Sequence, residues 1–106
     1  IKSTRDNLLA AIGGEHYEFT QMYPGFIEQA QAEGDAKAKG SFDLANRVEQ
    51  IHHGLFGAAL AGLEKGGDVV DTPIYVCQYC GNTVEGAAPE KCPICGAPRS
   101  SFKLIE

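Results

Sequence analysis

The sequence predicts an all-α helical hairpin, half of a four-helix bundle completed by another chain, followed by a small β-rich domain built around four cysteines. Three observations carry that expectation. Two long segments show helical apolar spacing, ionisable residues stand inside both apolar stripes, and two Cys-x-x-Cys pairs are confined to the C-terminal part.

The first helix starts at Ser3, Thr4 and Asp6, a hydroxyl cap with an acid in the first turn, and runs to about Glu33. Its stripe is Leu8, Ile12, Glu15, Phe19, Met22 and Phe26, stepping by alternate fours and threes. Pro24 lacks a backbone donor and crowds the preceding turn, so a kink is expected there. Gly34-Asp35 reads as the turn into the second helix, which begins at Ala36 or Ser41 and ends at Lys65 before Gly66-Gly67. Its stripe is Phe42, Ala45, Glu49, His52, Phe56, Ala59 and Leu63. Gly54, Gly57 and Gly62 weaken that helix but would let a neighbouring helix approach closely. Asp68 to Pro73 is a polar linker, with the domain boundary near Thr72.

Glu49 and His52 take consecutive positions of a stripe that should be buried. A carboxylate in an apolar interior costs several kcal/mol or takes up a proton unless a positive charge compensates it, and a metal ion is the natural one. In di-iron and di-manganese bundles each half supplies one Glu from one helix and a Glu-x-x-His from the other. Glu15 with Glu49 and His52 makes one such half, and Glu18, one turn from Glu15, can reach the same cavity. Tyr23 lies a little over one turn beyond Glu18, where a phenol could orient ligating carboxylates. His16 and His53 adjoin Glu15 and His52 but face elsewhere, and Tyr17 reads as a core or interface residue.

Cys77-x-x-Cys80-Gly81 and Cys92-x-x-Cys95-Gly96 form two knuckles separated by 11 residues. Four thiolates at tetrahedral corners hold either zinc or a single iron, and spacing alone does not separate the two. Residues 73–106 carry three basic and three acidic side chains and are too few to bury a core, so a metal must hold them.

The net charge of −5 argues against a nucleic-acid partner, and no apolar run is long enough to span a membrane. All four cysteines fall in the paired knuckles, which fits a reducing cytoplasm. The chain opens Ile1-Lys2-Ser3 without Met, which suggests a processed, cleaved or truncated piece of something longer.

The run Asn7 to Glu18, then Met22-Tyr23-Pro24, then Glu49-Gln50-Ile51-His52, resembles the second half of the rubrerythrin bundle. Cys77 to Gly81, Glu85-Gly86, Ala88-Pro89 and Lys91 to Cys95 resemble that family's rubredoxin-type domain. The resemblance implies a ferritin-like di-iron hairpin over residues 1–72 and a rubredoxin-like domain over 73–106. It implies that Glu15, Glu18, Glu49 and His52 are di-iron ligands, Glu18 being the mobile one, and that Cys77, Cys80, Cys92 and Cys95 bind one iron. It further implies a peroxidase that reduces hydrogen peroxide to water. Electrons would come from NADH through a separate reductase or rubredoxin and pass through the thiolate iron.

The family's bundle has four helices, and here the first two are absent. A two-fold pair of chains would restore four Glu and two His from Glu15, Glu49 and His52, so a homodimer or higher oligomer is the first expectation. The rival is a clipped protein whose first two bundle helices are a separate chain. Two other functions fit the motifs: a ferroxidase or iron-storage role, and a zinc-ribbon interaction module on a helical hairpin.

Overall fold

The computed structural model describes residues 1–66 and 72–105. Helix α1 (Thr4–Tyr17) starts where Ser3 Oγ accepts the Asp6 amide at 3.1 Å. A π-helical turn over Glu18–Met22 joins it to α2 (Tyr23–Ala32), and the 29-residue α3 (Ala36–Glu64) packs back against both. Asp35 caps α3 by accepting the Ala38 amide at 3.0 Å, and Gly34, at φ +72°, makes the turn before it. Gly66 at φ +81° ends the helix, as expected of the first glycine of the pair. Gly67 and the linker residues Asp68 to Asp71 lie outside the described residues.

The π turn corrects two expectations. The disturbance anticipated at Pro24 falls upstream of it, where the Tyr23 amide donates to Glu18 O and one extra residue enters the helical ladder. That residue advances the phase of everything downstream. Phe26, placed in the stripe by its spacing, is 43% exposed, while Ala30 is 5% exposed. The Phe26 ring instead lies 5.2 Å from that of Phe42, beside Tyr23.

The C-terminal module is a three-stranded antiparallel sheet in the order β2-β1-β3, formed by β1 (Ile74–Cys77), β2 (Thr83–Glu85) and β3 (Phe102–Ile105). Its core is the cysteine cluster, with Cys77 and Cys92 almost fully buried.

The hairpin's own core is thin. Only Ala30 and Val48 are buried among its described residues, and Val48 owes this in part to the module, since its Cγ1 lies 3.7 Å from where a Gly81 side chain would begin. No atom approaches Gly54, Gly57 or Gly62 closely, so the close helix packing those glycines suggest is not made within the described residues. The open face and the edge of the sheet border a groove of about 700 Å³, walled by Leu8, Leu55, Phe56 and Ile74 and floored by Glu15 and His52.

Candidate metal centres

Three ligand atoms converge where α1 passes α3. Glu15 Oε1 and Glu49 Oε1 each lie 3.7 Å from His52 Nδ1, with the side chains 16–25% exposed. Those separations are too long for hydrogen bonds but suit ligands placed around one ion. Glu15 Oε2 is buried without a hydrogen-bond partner, an orphaned anionic oxygen that a cation would satisfy. The three residues are thus brought together by α1 and α3, one turn separating Glu49 from His52.

Glu18, in the π turn, stands outside that trio. Its interaction with the Glu49 carboxyl, followed by burial, raises its pKa above the usual carboxylate range. Glu49 is also raised, chiefly by burial and then by Glu15. Burial and the charges of Glu49, Glu18 and Glu15 push the half-buried Tyr23 phenol up, so it remains an O–H donor next to the carboxylates. His16 and His53 do not join the site. Both pack edgewise or tilted around Phe19, with ring centroids 5.2–5.9 Å apart, and Tyr17 is 52% exposed.

The second centre is the cysteine cluster. Cys77 and Cys95 sulfurs are 3.7 Å apart, and those of Cys80 and Cys92 3.8 Å. A tetrahedral ion with metal–sulfur bonds of ~2.3 Å has sulfur–sulfur edges of about 3.8 Å, so the four residues fit such an ion. Gly81 (φ +86°) and Gly96 (φ +82°) close the knuckles, donating to the Cys77 and Cys92 carbonyls at 2.8 and 2.9 Å. Burial drives Cys80 up to about 12 and also raises Cys95. At Cys92 burial acts the same way, but the Cys95 and Ile94 amides overcome it and leave the thiol at about 7. One sulfur is therefore ready to ionise, and a cation would have to draw the protons from its neighbours.

Sequence reasoning missed what joins the centres. His52 Nε2 lies 3.1 Å from both Gly81 O and Thr83 Oγ1, while the Thr83 hydroxyl itself donates to Gly81 O. With Nε2 donating there, the Nδ1 lone pair is left for an ion between Glu15 and Glu49. Gly81 directly follows Cys80, and the next amide, Asn82 N–H, donates to Cys80 Sγ at 3.4 Å. Asn82 is 2% exposed, its side-chain amide directed at Cys92 Sγ at 3.7 Å. No residue type signals that contact, because the groups His52 meets include a backbone carbonyl that any residue at position 81 would carry.

The rubrerythrin family model matches residues 1–60. The chain belongs to the rubrerythrin family. A second model, for the rubrerythrin rubredoxin-like domain, matches residues 75–103. Rubrerythrin-2 of Clostridium acetobutylicum is 37% identical over 94% of this chain, and nigerythrin of Nitratidesulfovibrio vulgaris 38% identical over 91%. These alignments cover 54% and 46% of the two relatives, so the chain spans about half the length of the curated relatives it matches. The structure of nigerythrin in a partially reduced state superposes with a TM-score of 0.89 at 35% identity, covering 99% of this chain and 51% of nigerythrin. Hairpin and cysteine module together thus share the rubrerythrin fold, with Glu15, Glu49 and His52 gathered in the hairpin and four cysteines gathered in the rubredoxin-like module. Among the described residues no helix is long and apolar enough to cross a membrane.

Proposed function

We propose that this chain contributes half of a di-iron site and a complete Fe(Cys)4 centre to a peroxidase that reduces hydrogen peroxide to water. The observation that carries the reading is the imidazole of His52, whose Nδ1 faces Glu15 and Glu49 while Nε2 bonds the residue next to Cys80. Glu15, Glu49 and His52 are the proposed ligands, with Glu18 as a further one. Iron is favoured over zinc because solved forms of the related nigerythrin include an all-ferrous state.

Reducing one peroxide to two waters consumes two electrons and two protons. Irons held by Glu15, Glu49 and His52 with their two-fold mates would supply the two electrons, and an iron held by Cys77, Cys80, Cys92 and Cys95 would supply single electrons to replace them. The chain's own groups do the rest. His52, its ring fixed by the Gly81 carbonyl, presents Nδ1 as one ligand and offers a short covalent and hydrogen-bonded route from Cys80 through Gly81. The Tyr23 phenol, held protonated by burial and the nearby carboxylates, is available to donate to them and orient them.

A second copy of the hairpin is the proposed complement, bringing another Glu15, Glu49 and His52 across a two-fold axis. The working division is a di-iron hairpin over residues 1–72 and an electron-transfer module over 73–106, reduced in the cytoplasm by an NADH-linked reductase or a rubredoxin. Metal analysis with a visible spectrum and peroxide consumption tests the reading. Expected are about two irons per chain, a red ferric-thiolate colour and reductant-dependent peroxide loss. A colourless zinc protein would refute it, and so would oxygen being consumed in preference to peroxide.

A further inference from the structure

Helix α3 touches the second cysteine knuckle through a residue that no motif includes. Arg47 Nη1 donates to the Ile94 carbonyl at 3.3 Å and Nη2 to the Pro93 carbonyl at 3.5 Å. Those two oxygens belong to the peptide units whose opposite ends are the Ile94 and Cys95 amides, and these are the amides that act on Cys92 sulfur. The same arrangement recurs on the first knuckle. There His52 bonds the Gly81 carbonyl, and the far end of that peptide is the Asn82 amide on Cys80 sulfur. One helix therefore grips the carbonyl ends of peptides in both knuckles while their N–H ends face thiolates.

Hydrogen bonding at a carbonyl polarises its peptide and strengthens the bond its N–H makes. Stronger N–H···S bonds, and a cation placed beyond them, favour the more negative of two charge states. For a four-thiolate iron that is the ferrous form, which carries one more negative charge than the ferric. Loss of the cation should therefore make reduction harder.

We infer that Arg47 is a redox-tuning residue: through the Pro93–Ile94 and Ile94–Cys95 peptides it raises the reduction potential of the iron held by the four cysteines. This rests on the proposed iron occupancy of that site, though not on the peroxidase activity. A guanidinium suits the task because its planar fork reaches two adjacent carbonyls at once, whereas an ammonium can only serve them as a point charge. Arg47 is exposed, so water screens its charge and the effect should be modest.

The test is a spectroelectrochemical titration of the ferric-thiolate absorption in the iron-loaded chain and in its Arg47→Gln and Arg47→Lys variants. Arg47→Gln should lower the ferric-to-ferrous equilibrium constant about threefold to tenfold, a fall of roughly 30 to 60 mV for one electron, and Arg47→Lys should recover part of it. A merely mechanical clamp would leave the potential unmoved. An Arg47→Gln value equal to the parent's therefore overturns the inference. Should Arg47→Gln fail to load iron, an Arg47→Lys potential equal to the parent's or above it overturns the inference, and a lower one supports it. A parent protein without ferric-thiolate colour refutes the iron occupancy itself, and that result is visible before any potential is measured.

Discussion

At the scale of single residues, the site is defined by what lacks a partner. Glu15 Oε2 is orphaned, and Glu49 is half-buried with its pKa raised by that burial and by Glu15. Removing a proposed ligand should empty the helical site and leave all four cysteines in place, so Glu49→Ala or His52→Ala should cut peroxide turnover by at least about 100-fold while the red colour persists. Assay of both variants with the visible spectrum recorded alongside checks this, and unchanged turnover would defeat the ligand assignment. The same cluster sets a pH dependence. Glu18 and Glu49 have raised pKa values in the metal-free fold, so they hold protons more tightly folded than unfolded. Their contribution to stability is full below the ordinary carboxylate pKa of about 4.3 and is lost as pH rises through the raised values. Metal binding needs the deprotonated carboxylates and reverses the trend. Melting curves with and without chelator should therefore diverge as pH increases, the metal-free curve moving down and the loaded one holding.

At the scale of elements, helix ends and knuckles were legible because they depend on local chemistry. Ser3 at the N-cap of α1, Gly34 in the turn and Gly81 after a cysteine pair each have a single conformational job, and spacing reveals it. The clustering of Glu15, Glu49 and His52 was legible for a related reason, since an acid and an imidazole inside an apolar repeat conflict with it. The π turn was not legible. A repeat of fours and threes assumes one unbroken ladder, and the extra residue over Glu18–Met22 displaces only the positions C-terminal to it, so Phe26 still meets Phe42 but from an exposed rim, while Glu15 is unaffected. The docking of α3 on the knuckles was equally hidden, because Arg47 reaches Pro93 and Ile94, and Val48 approaches Gly81, across long stretches of chain that leave no periodic trace. Gly81→Ala probes the knuckle. At φ +86° an added Cβ should cost about 1–2 kcal/mol, while its 3.7 Å approach to Val48 is ordinary contact, so the iron-loaded midpoint should fall by several degrees. No fall would remove the backbone argument.

At the scale of the whole molecule, the chain exposes more surface than a compact monomer of its mass would. Its accessible surface is 7029 Å², against about 5,700 Å² for a compact monomer of this mass, and its radius of gyration is 15.5 Å against about 13 Å. The excess of more than 1,000 Å² exceeds the ~800 Å² that one partner contributes to a standard interface. The proposed second hairpin, seated on the open face, would account for it. Phe56→Asp, in the groove wall, should convert a dimer to monomers and empty the helical site while the cysteine iron stays bound. Light scattering with metal analysis would show this, and a dimer that persists with its iron pair would place the contact elsewhere. Because Val48 packs against Gly81, hairpin and cysteine module are not interchangeable cassettes. A chimaera carrying a foreign thiolate domain would present an unmatched loop to this helix, so a successful transplant would have to move α3 and both knuckles as a single inherited block.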